Sequence, residues 1–361
     1  MSNDLRLKIN DRFINRTVNF FNEVRINLKY NSVGSTFAFQ FLFDPNNPEH
    51  KELACVSHYH EVQLFLGDIL LMTGNIVSNN FKAGPTITMT SFGGYSKPGV
   101  LDDCNIPVSL YPLQFDGLSL ENIARKLIRP FKLDMVIDSA VNARMSKSFD
   151  TSTASSRSTV KDYLSSLASQ KNIVLSHDNI GNLLFTESKT KQKSIIDFDL
   201  TKATPAGMTF EFPFSGQGMH SHITVMKQAS IDGGNPGEET IRNPYVIGSY
   251  FRPKVISQSS GDDNDTILAA KRALSNELRN MPLTITTNNW LVDGKLLVPN
   301  NIITIIAPSL FIYTKTRFFI ESVNFEANEG TKLATINCVL PEVYNEETPI
   351  SIYKGINEQH S

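Results

Sequence analysis

The sequence predicts a mainly β protein with an α+β insertion: two similar β-domains flanking a small α+β module. Three observations carry this. Apolar and polar residues alternate with period two on both sides of the chain's middle, as half-buried strands require. Between about 113 and 203 the pattern changes to amphipathic helices with capping residues in front of them. Finally, the stretch 68–92, a strand-turn-strand about Gly84, is echoed at 315–340 about Gly330, with ITMTSF answered by ATINCVL.

Composition agrees and narrows the function classes. A chain of 361 residues has material for two or three domains. Its 23 Phe against a single Trp290, with many Thr, Ser and Asn, favour strands and turns. The formal net charge of -2 gives no bulk attraction for polyanions, so recognition of nucleic-acid sequence is not expected. Cys55, Cys104 and Cys338 are widely spaced and lack a CxxC pair, which argues against a disulfide framework or structural zinc and for a reduced compartment. The start MSNDLRLKIN has no signal-peptide pattern, and no apolar run reaches the ~18 residues of a membrane span. The expectation is synthesis in the cytoplasm without a membrane span.

Taken in order, residues 1–18 are polar and read as an arm. The first β-domain is placed at 19–112. Val24, Ile26 and Leu28 alternate with Arg25, Asn27 and Lys29, and Phe37, Phe39, Phe41 and Phe43 form a stripe; Ser32-Val33-Gly34 joins the two as a hairpin. Asp44 to Pro48 is a turn cluster. Glu61 to Asn79 supplies two more strands around Gly67-Asp68 and Thr73-Gly74, and Thr86 to Phe92 another. The strand beginning at Thr86 is expected to break at Gly93-Gly94, where positive φ costs nothing.

The module is placed at 113–203. Ser119 caps a helix carrying Leu120, Ile123, Ala124, Leu127 and Ile128, which Pro130 ends before a strand at Leu133–Ile137. After a Ser/Thr-rich linker, 146–158, the unit repeats: Ser158 or Thr159 as cap, a helix with Val160, Tyr163, Leu164, Leu167 and Ala168, and a strand at 172–176. Asp178 to Asn182 then turns the chain into Leu183-Leu184-Phe185. The second β-domain, 204–345, has strands at 208–214, 220–227, 283–290, 301–307, 316–326 and 332–340. Asp232 to Gly237 is a loop, and an inserted helix spans 262–280, with Thr266 a possible cap. Residues 346–361 form a tail.

Candidate chemistry is thin. Ser96-Lys97 followed by Asp103-Cys104 holds a nucleophile beside an amine. A lysine in a polar Pro98-Gly99 turn lacks the burial that would activate it, so a tight structural connection is the better reading. His58-x-His60 and His220-x-His222 put paired imidazoles on strand faces, with Glu61 near the first pair, and are weak metal candidates. Asp262-Asp263-Asn264-Asp265 is half a calcium loop and reads better as an acidic helix start. No Walker A, GxGxxG, HExxH or GxSxG pattern occurs. The expectation is therefore no enzyme, no cofactor and no resident metal. Two alternatives stay open: a cell-wall or glycan hydrolase, and a β-barrel binding module with a metal at the histidine pairs.

Several segments in order resemble one family. They are Gly74-Asn75-Ile76, Gly94-Tyr95-Ser96-Lys97 with Leu101 to Cys104, and Phe115 to Leu120 leading to Pro130-Phe131-Lys132-Leu133. Thr159 to Ala168, Asp178 to Leu183, and Leu291-Val292-Asp293-Gly294 with Val298-Pro299-Asn300 complete the set. The arrangement, from about residue 20 to 345, resembles the baseplate hub proteins of contractile-tailed, Mu-like phages and the hub portion of type VI secretion VgrG proteins. Tyr95 is a departure, since relatives often carry Arg there.

The resemblance implies two tube-like antiparallel β-barrel domains per subunit and a homotrimer whose six barrels adapt a sixfold tail tube to a threefold central spike. It implies as partners the tail tube protein or a tube initiator, the central spike protein and other baseplate proteins, and a place in the virion at the tail baseplate. In that setting Gly93, Gly94, Tyr95, Ser96, Lys97, Asp103 and Cys104 form a structural joint between the first barrel and the module.

Overall fold

The computed structural model describes residues 5–10, 14–19, 21–55, 57–85, 88–227, 237–247, 250–258, 266–328, 330–345 and 347–353. The chain divides into two compact units, Met1–Glu187 with Asn324–Ala334, and Ser188–Val323 with Thr335–Ser361. It is mainly β, with a large curled antiparallel sheet and smaller mixed sheets accompanied by helices.

In the first unit the strands run in the order Asn15–Val18, Leu5–Asn10, Glu61–Leu66, Ile69–Ala83, Thr88–Ser96, Thr36–Leu42 and Glu23–Lys29. Residues 324–328 lie beyond Glu23–Lys29. The phenylalanine stripe sets the register, because period-two alternation puts every second ring on one face. Val24 opposes Phe39 and Ile26 opposes Phe37, while Phe39 and Phe41 face Phe92 and Thr90 on the next strand. Phe39 and Phe92 stack at 5.6 Å, and Phe21 closes on Phe39 at 4.5 Å. Each fully buried ring contributes about 1.5–3 kcal/mol.

The sheet departs from the expectation in four places. Residues 1–18 are not a bare arm: Leu5–Asn10 pairs with Glu61–Leu66 and buries Leu5, Leu7 and Ile9, the same period-two alternation as in Glu23–Lys29. Thr73-Gly74 lies inside the strand Ile69–Ala83 and makes no turn. The Asp44–Pro48 cluster leads into a short helix, Pro48–Leu53, capped by the Asn47 carboxamide oxygen, which accepts from the Glu49 amide. The strand Thr88–Ser96 runs through Gly93-Gly94 unbroken, and neither glycine has positive φ. Thr86 and Ile87 lie outside the described residues.

The module packs two helices on a three-stranded sheet. Ser119 Oγ accepts from the Asn122 amide at the head of Leu120–Ile128, and Thr159 Oγ1 accepts from the Asp162 amide at the head of Val160–Gln170. Their apolar faces, Ile123, Leu127, Leu164 and Leu167 among them, meet in one core. Leu183–Thr186 is central, parallel to Met135–Ile137 and antiparallel to Val174–His177. The Ser/Thr-rich stretch is packed rather than a free linker. Ser152 is buried with its amide on the Asp116 carboxylate at 2.7 Å and its hydroxyl 2.6 Å from that of Tyr163.

Residues 188–203, expected in the module, belong to the second unit. There Ile196–Asp199 pairs in parallel with Ile302–Ala307. The strand order is Met208–Glu211, Leu283–Thr287, Thr331–Val339, Ile312–Asn328, Ile302–Ala307, Ile196–Asp199. The sheet curls far enough that rings from its two outermost strands, Phe198 and Phe210, lie 5.2 Å apart. A separate three-stranded sheet of His222–Lys227, Gly237–Arg242 and Pro253–Gln258 buries Ile223 and Val225 and packs against the helix Thr266–Glu277. The strands Gly237–Arg242 and Pro253–Gln258 were not expected. The acidic start at 262–265, most of the loop at 232–237 and most of the 346–361 tail lie outside the described residues.

Candidate functional site

The segment from Gly93 to Cys104 leaves the first sheet and enters the module, and each of its side chains has a definite mechanical task. Gly94 opposes both Phe37 and Ile76. A Cβ there would run into the Asn75 carbonyl oxygen and come within 2.7 Å of the Phe37 ring. The strands on either side can therefore close only over a glycine. Tyr95 folds its ring over Gly99, where a Cβ would meet the ring at 2.5 Å, and donates its hydroxyl to Asp103 at 2.7 Å. Burial first, and then the Asp103 bond and charge, raise the Tyr95 pKa, so the phenol stays a donor at any physiological pH.

Ser96 is fully buried. Its hydroxyl donates to the Val33 carbonyl at 3.0 Å and accepts from the Ser35 amide at 3.2 Å. Lys97 pairs with Glu61 at 2.9 Å and lays its aliphatic chain against Gly181. A serine nucleophile needs access and a base; Ser96 is inaccessible, and its proton is committed to a backbone carbonyl. Beyond the 3-10 turn Lys97–Gly99, Asp102 meets Lys161 at 3.1 Å, and the Cys104 carbonyl accepts from Val160 at the head of the second helix.

The module returns the contact through a turn for which sequence reasoning assigned no role beyond direction. Thr73 Oγ1 donates to the Asn179 carbonyl at 2.9 Å, and Asn179 Nδ2 donates to Leu70 at 3.2 Å. Asp178 holds the turn's shape by accepting from the amides of Ile180 and Asn182. His177, also not anticipated, sits beside it with Nε2 2.6 Å from Ser35 Oγ. The Asp-Asn-Ile-Gly-Asn spacing marks such a turn, but nothing local in it reveals the strand that it docks on.

A groove of about 490 Å3, with Tyr95 in its lining, crosses the strands of this unit. Its row of facing residues runs from Arg25 through Ala38 and Gly93 to Ser78, with Glu326 at one end.

The histidine pairs fall in different units. His58 and His60 have rings 5.1 Å apart, and His60 Nε2 is 3.2 Å from the Glu52 carbonyl oxygen. His220 is held by the buried Glu277 carboxylate, which accepts from its amide at 2.9 Å, lies 2.7 Å from its Nδ1 and also accepts from Lys254 at 3.1 Å. His222 turns to Ser221 and to the Phe251 ring. Among the described residues no three His, Cys, Asp or Glu side chains are grouped to hold a metal. No helix among them is long and apolar enough to cross a membrane.

This fold is that of tail proteins from phages and phage-derived systems. The chain is similar to the 43 kDa tail protein of prophage MuSo2 from Shewanella oneidensis at 17% identity, covering 94% of this chain and 99% of that one, with a TM-score of 0.75. A tail protein from Neisseria meningitidis is similar at 15% identity over 96% and 98% of the two chains, with a TM-score of 0.74. An E. coli component of the type VI secretion system, described as structurally similar to the T4 tail proteins gp27 and gp5, matches at 10% identity. It covers 92% of this chain and 76% of that one, with a TM-score of 0.53. No curated protein matches by sequence.

One segment also matches at the level of sequence. Residues 99–187 match the family model described as the second domain of the gp44-like baseplate hub proteins. The matched residues are the module, entered through the Gly93–Cys104 segment.

Proposed function

We propose that this chain is the hub of a contractile-tail baseplate, or of a tail-derived particle. Three copies would form a ring whose six tube-like β-domains adapt a sixfold tail tube to a threefold central spike. The observation that carries the reading is the pair of long hairpins. Ile69–Ala83 with Thr88–Ser96 is central to the curled sheet of the first unit, and Ile312–Asn328 with Thr331–Val339 has the same place in the second. Two such hairpins, each central to its half of the large sheet, supply the doubling that a threefold-to-sixfold adaptor requires. The hub-type module between them in sequence fits the same role. The tail tube protein or its initiator, the spike and other baseplate proteins are the partners in this reading.

Residues Gly93, Gly94, Tyr95, Ser96, Lys97, Asp103 and Cys104 act in this proposal as the joint on which the module hangs. The Ser96 hydrogen bonds and the Lys97–Glu61 ion pair run to the sheet on one side, and the Cys104 carbonyl accepts from Val160 at the head of the helix Val160–Gln170 on the other.

Native mass measurement and low-magnification electron images of the purified chain test the proposal. A threefold ring with a central channel, alone or upon mixing with tube or spike protein, is the expected result. A particle that stays monomeric and binds neither protein would overturn it.

A further inference from the structure

Where the module meets the sheet of the first unit, the positions of the protons can be read from the hydrogen-bond partners. His177 Nδ1 lies 3.0 Å from the Asp178 carbonyl oxygen, which can only accept, so Nδ1 carries the hydrogen. Nε2 is then an acceptor in the neutral ring, and the group facing it at 2.6 Å is the Ser35 hydroxyl. Ser35 Oγ in turn accepts from the Lys29 amide at 3.1 Å, leaving its one proton for His177. The Ser35 amide donates to Ser96 Oγ, Ser96 Oγ donates to Val33, and the Ser96 amide donates to the Ser35 carbonyl at 2.8 Å. Ser35 is thus bonded to Ser96 within the sheet through its backbone and to His177, the last residue of the module strand Val174–His177, through its hydroxyl.

We propose that His177 is an acid-sensitive latch: in its neutral form it fastens the module to the sheet at Ser35, and protonation at Nε2 loosens that fastening. A proton on Nε2 sets two donors against each other. The Ser35 hydroxyl must turn away, and Ser35 is fully buried, so its hydrogen loses its partner where water does not replace it.

The charged groups around the ring do not relieve this. The Asp178 carboxylate is engaged by the amides of Ile180 and Asn182 and the Asn182 side chain, and Lys97 is paired with Glu61. Tyr95 is bonded to Asp103; from the strand Glu23–Lys29, Lys29 presents its amide, and Tyr30 just beyond it accepts from Ser176 through its carbonyl at 2.5 Å. His177 as a residue keeps some exposure, yet burial of its ring lowers its pKa, outweighing the Asp178 carbonyl bond and charge, which act in the opposite sense. The unfolded chain therefore takes up this proton first. Stability is unaffected above about pH 6.5 and is lost as pH falls from there toward the lower folded pKa.

Hydrogen exchange of the full chain, corrected for the intrinsic rate at each pH, tests the latch. Between about pH 8 and pH 5, the Ser35 and Ser96 amides should speed up roughly tenfold or more relative to those of the Phe37–Phe41 strand segment. In His177→Asn, whose amide can replace the Nδ1 donor but does not titrate, the ratio should stay within about twofold. Ser35→Ala removes the hydroxyl to which the neutral ring is fastened, so the wild-type transition in amide exchange should be lost, with the residue 96 amide already fast at pH 8. A flat wild-type profile, or the same acid response in His177→Asn, overturns the proposal. If His177→Asn does not fold, Ser35→Ala decides: a transition left where it was in wild type overturns it equally.

Discussion

One absent β-carbon decides how closely the first hairpin can approach its neighbours. At Gly94 an added methyl group would collide with backbone, the Asn75 carbonyl, which cannot swing aside as a side-chain end can. Gly94→Ala should therefore cost about 1–3 kcal/mol, the usual range for overpacking in a close-packed site. Tyr95→Phe removes only the half-buried hydroxyl bond to Asp103 and should cost no more than ~1.5 kcal/mol. Urea melts of the two variants measure both, and equal losses would refute this ranking. The glycine pair was legible in the sequence, but for the wrong reason. Positive φ is a local property that a reader can attach to Gly-Gly, whereas the crowding at Gly94 comes from residues on two other strands. His177 was hidden for the same cause: its partner Ser35 is far away along the chain.

At the scale of elements, what is local was legible. Both helix caps follow from a side chain reaching an amide three residues on, and both helices lie where the apolar spacing put them. The long hairpins about Gly84 and Gly330 were equally readable, because alternation and turn sit within one stretch. The strands Gly237–Arg242 and Pro253–Gln258 were missed because each gains its partner from His222–Lys227, and one of those pairings is parallel, with no hairpin to announce it.

The outer strand Ile196–Asp199 shows how such an element is fastened once it arrives. Asp197 accepts from Lys315 at 2.7 Å and from Thr304, and these bonds, Lys315 first, lower its carboxyl pKa to about 2. A depressed carboxyl pKa stabilises the fold above its unfolded value near ~3.9, and that contribution is lost as pH falls toward 2. Lys315→Ala should return the Asp197 titration toward the ordinary range, read by carboxyl NMR. A titration left unmoved would mean that the Thr304 and Ser194 hydroxyls, not the lysine, set it.

For the whole molecule, the division into units does not follow the chain. The first unit needs residues 324–334, which arrive from the far end of a hairpin that begins in the second. A fragment ending at Glu187 would leave Glu23–Lys29 as an open sheet edge and remove Asn324, Phe325 and Glu326 from the groove. Such a fragment should self-associate at micromolar concentration, and fusing residues 324–334 to it through a short linker should restore the monomeric state in light scattering. Equal behaviour of both fragments would show that the edge is not the cause.

The same crossing puts synthesis under a timing constraint. When the ribosome has finished Glu187, the strand Glu23–Lys29 has its inner neighbour Thr36–Leu42 but not its outer one. Everything from Ser188 to Val323 must be translated before that outer neighbour exists, a wait on the order of ten seconds at ~5–20 residues per second. During this interval an unpaired edge is open to any other nascent chain. Glu23, Arg25, Asn27 and Lys29 alternate along it with the buried Val24, Ile26 and Leu28, so the waiting strand shows charge rather than grease on its outward face. That polar row then guards the nascent chain before it lines the finished sheet.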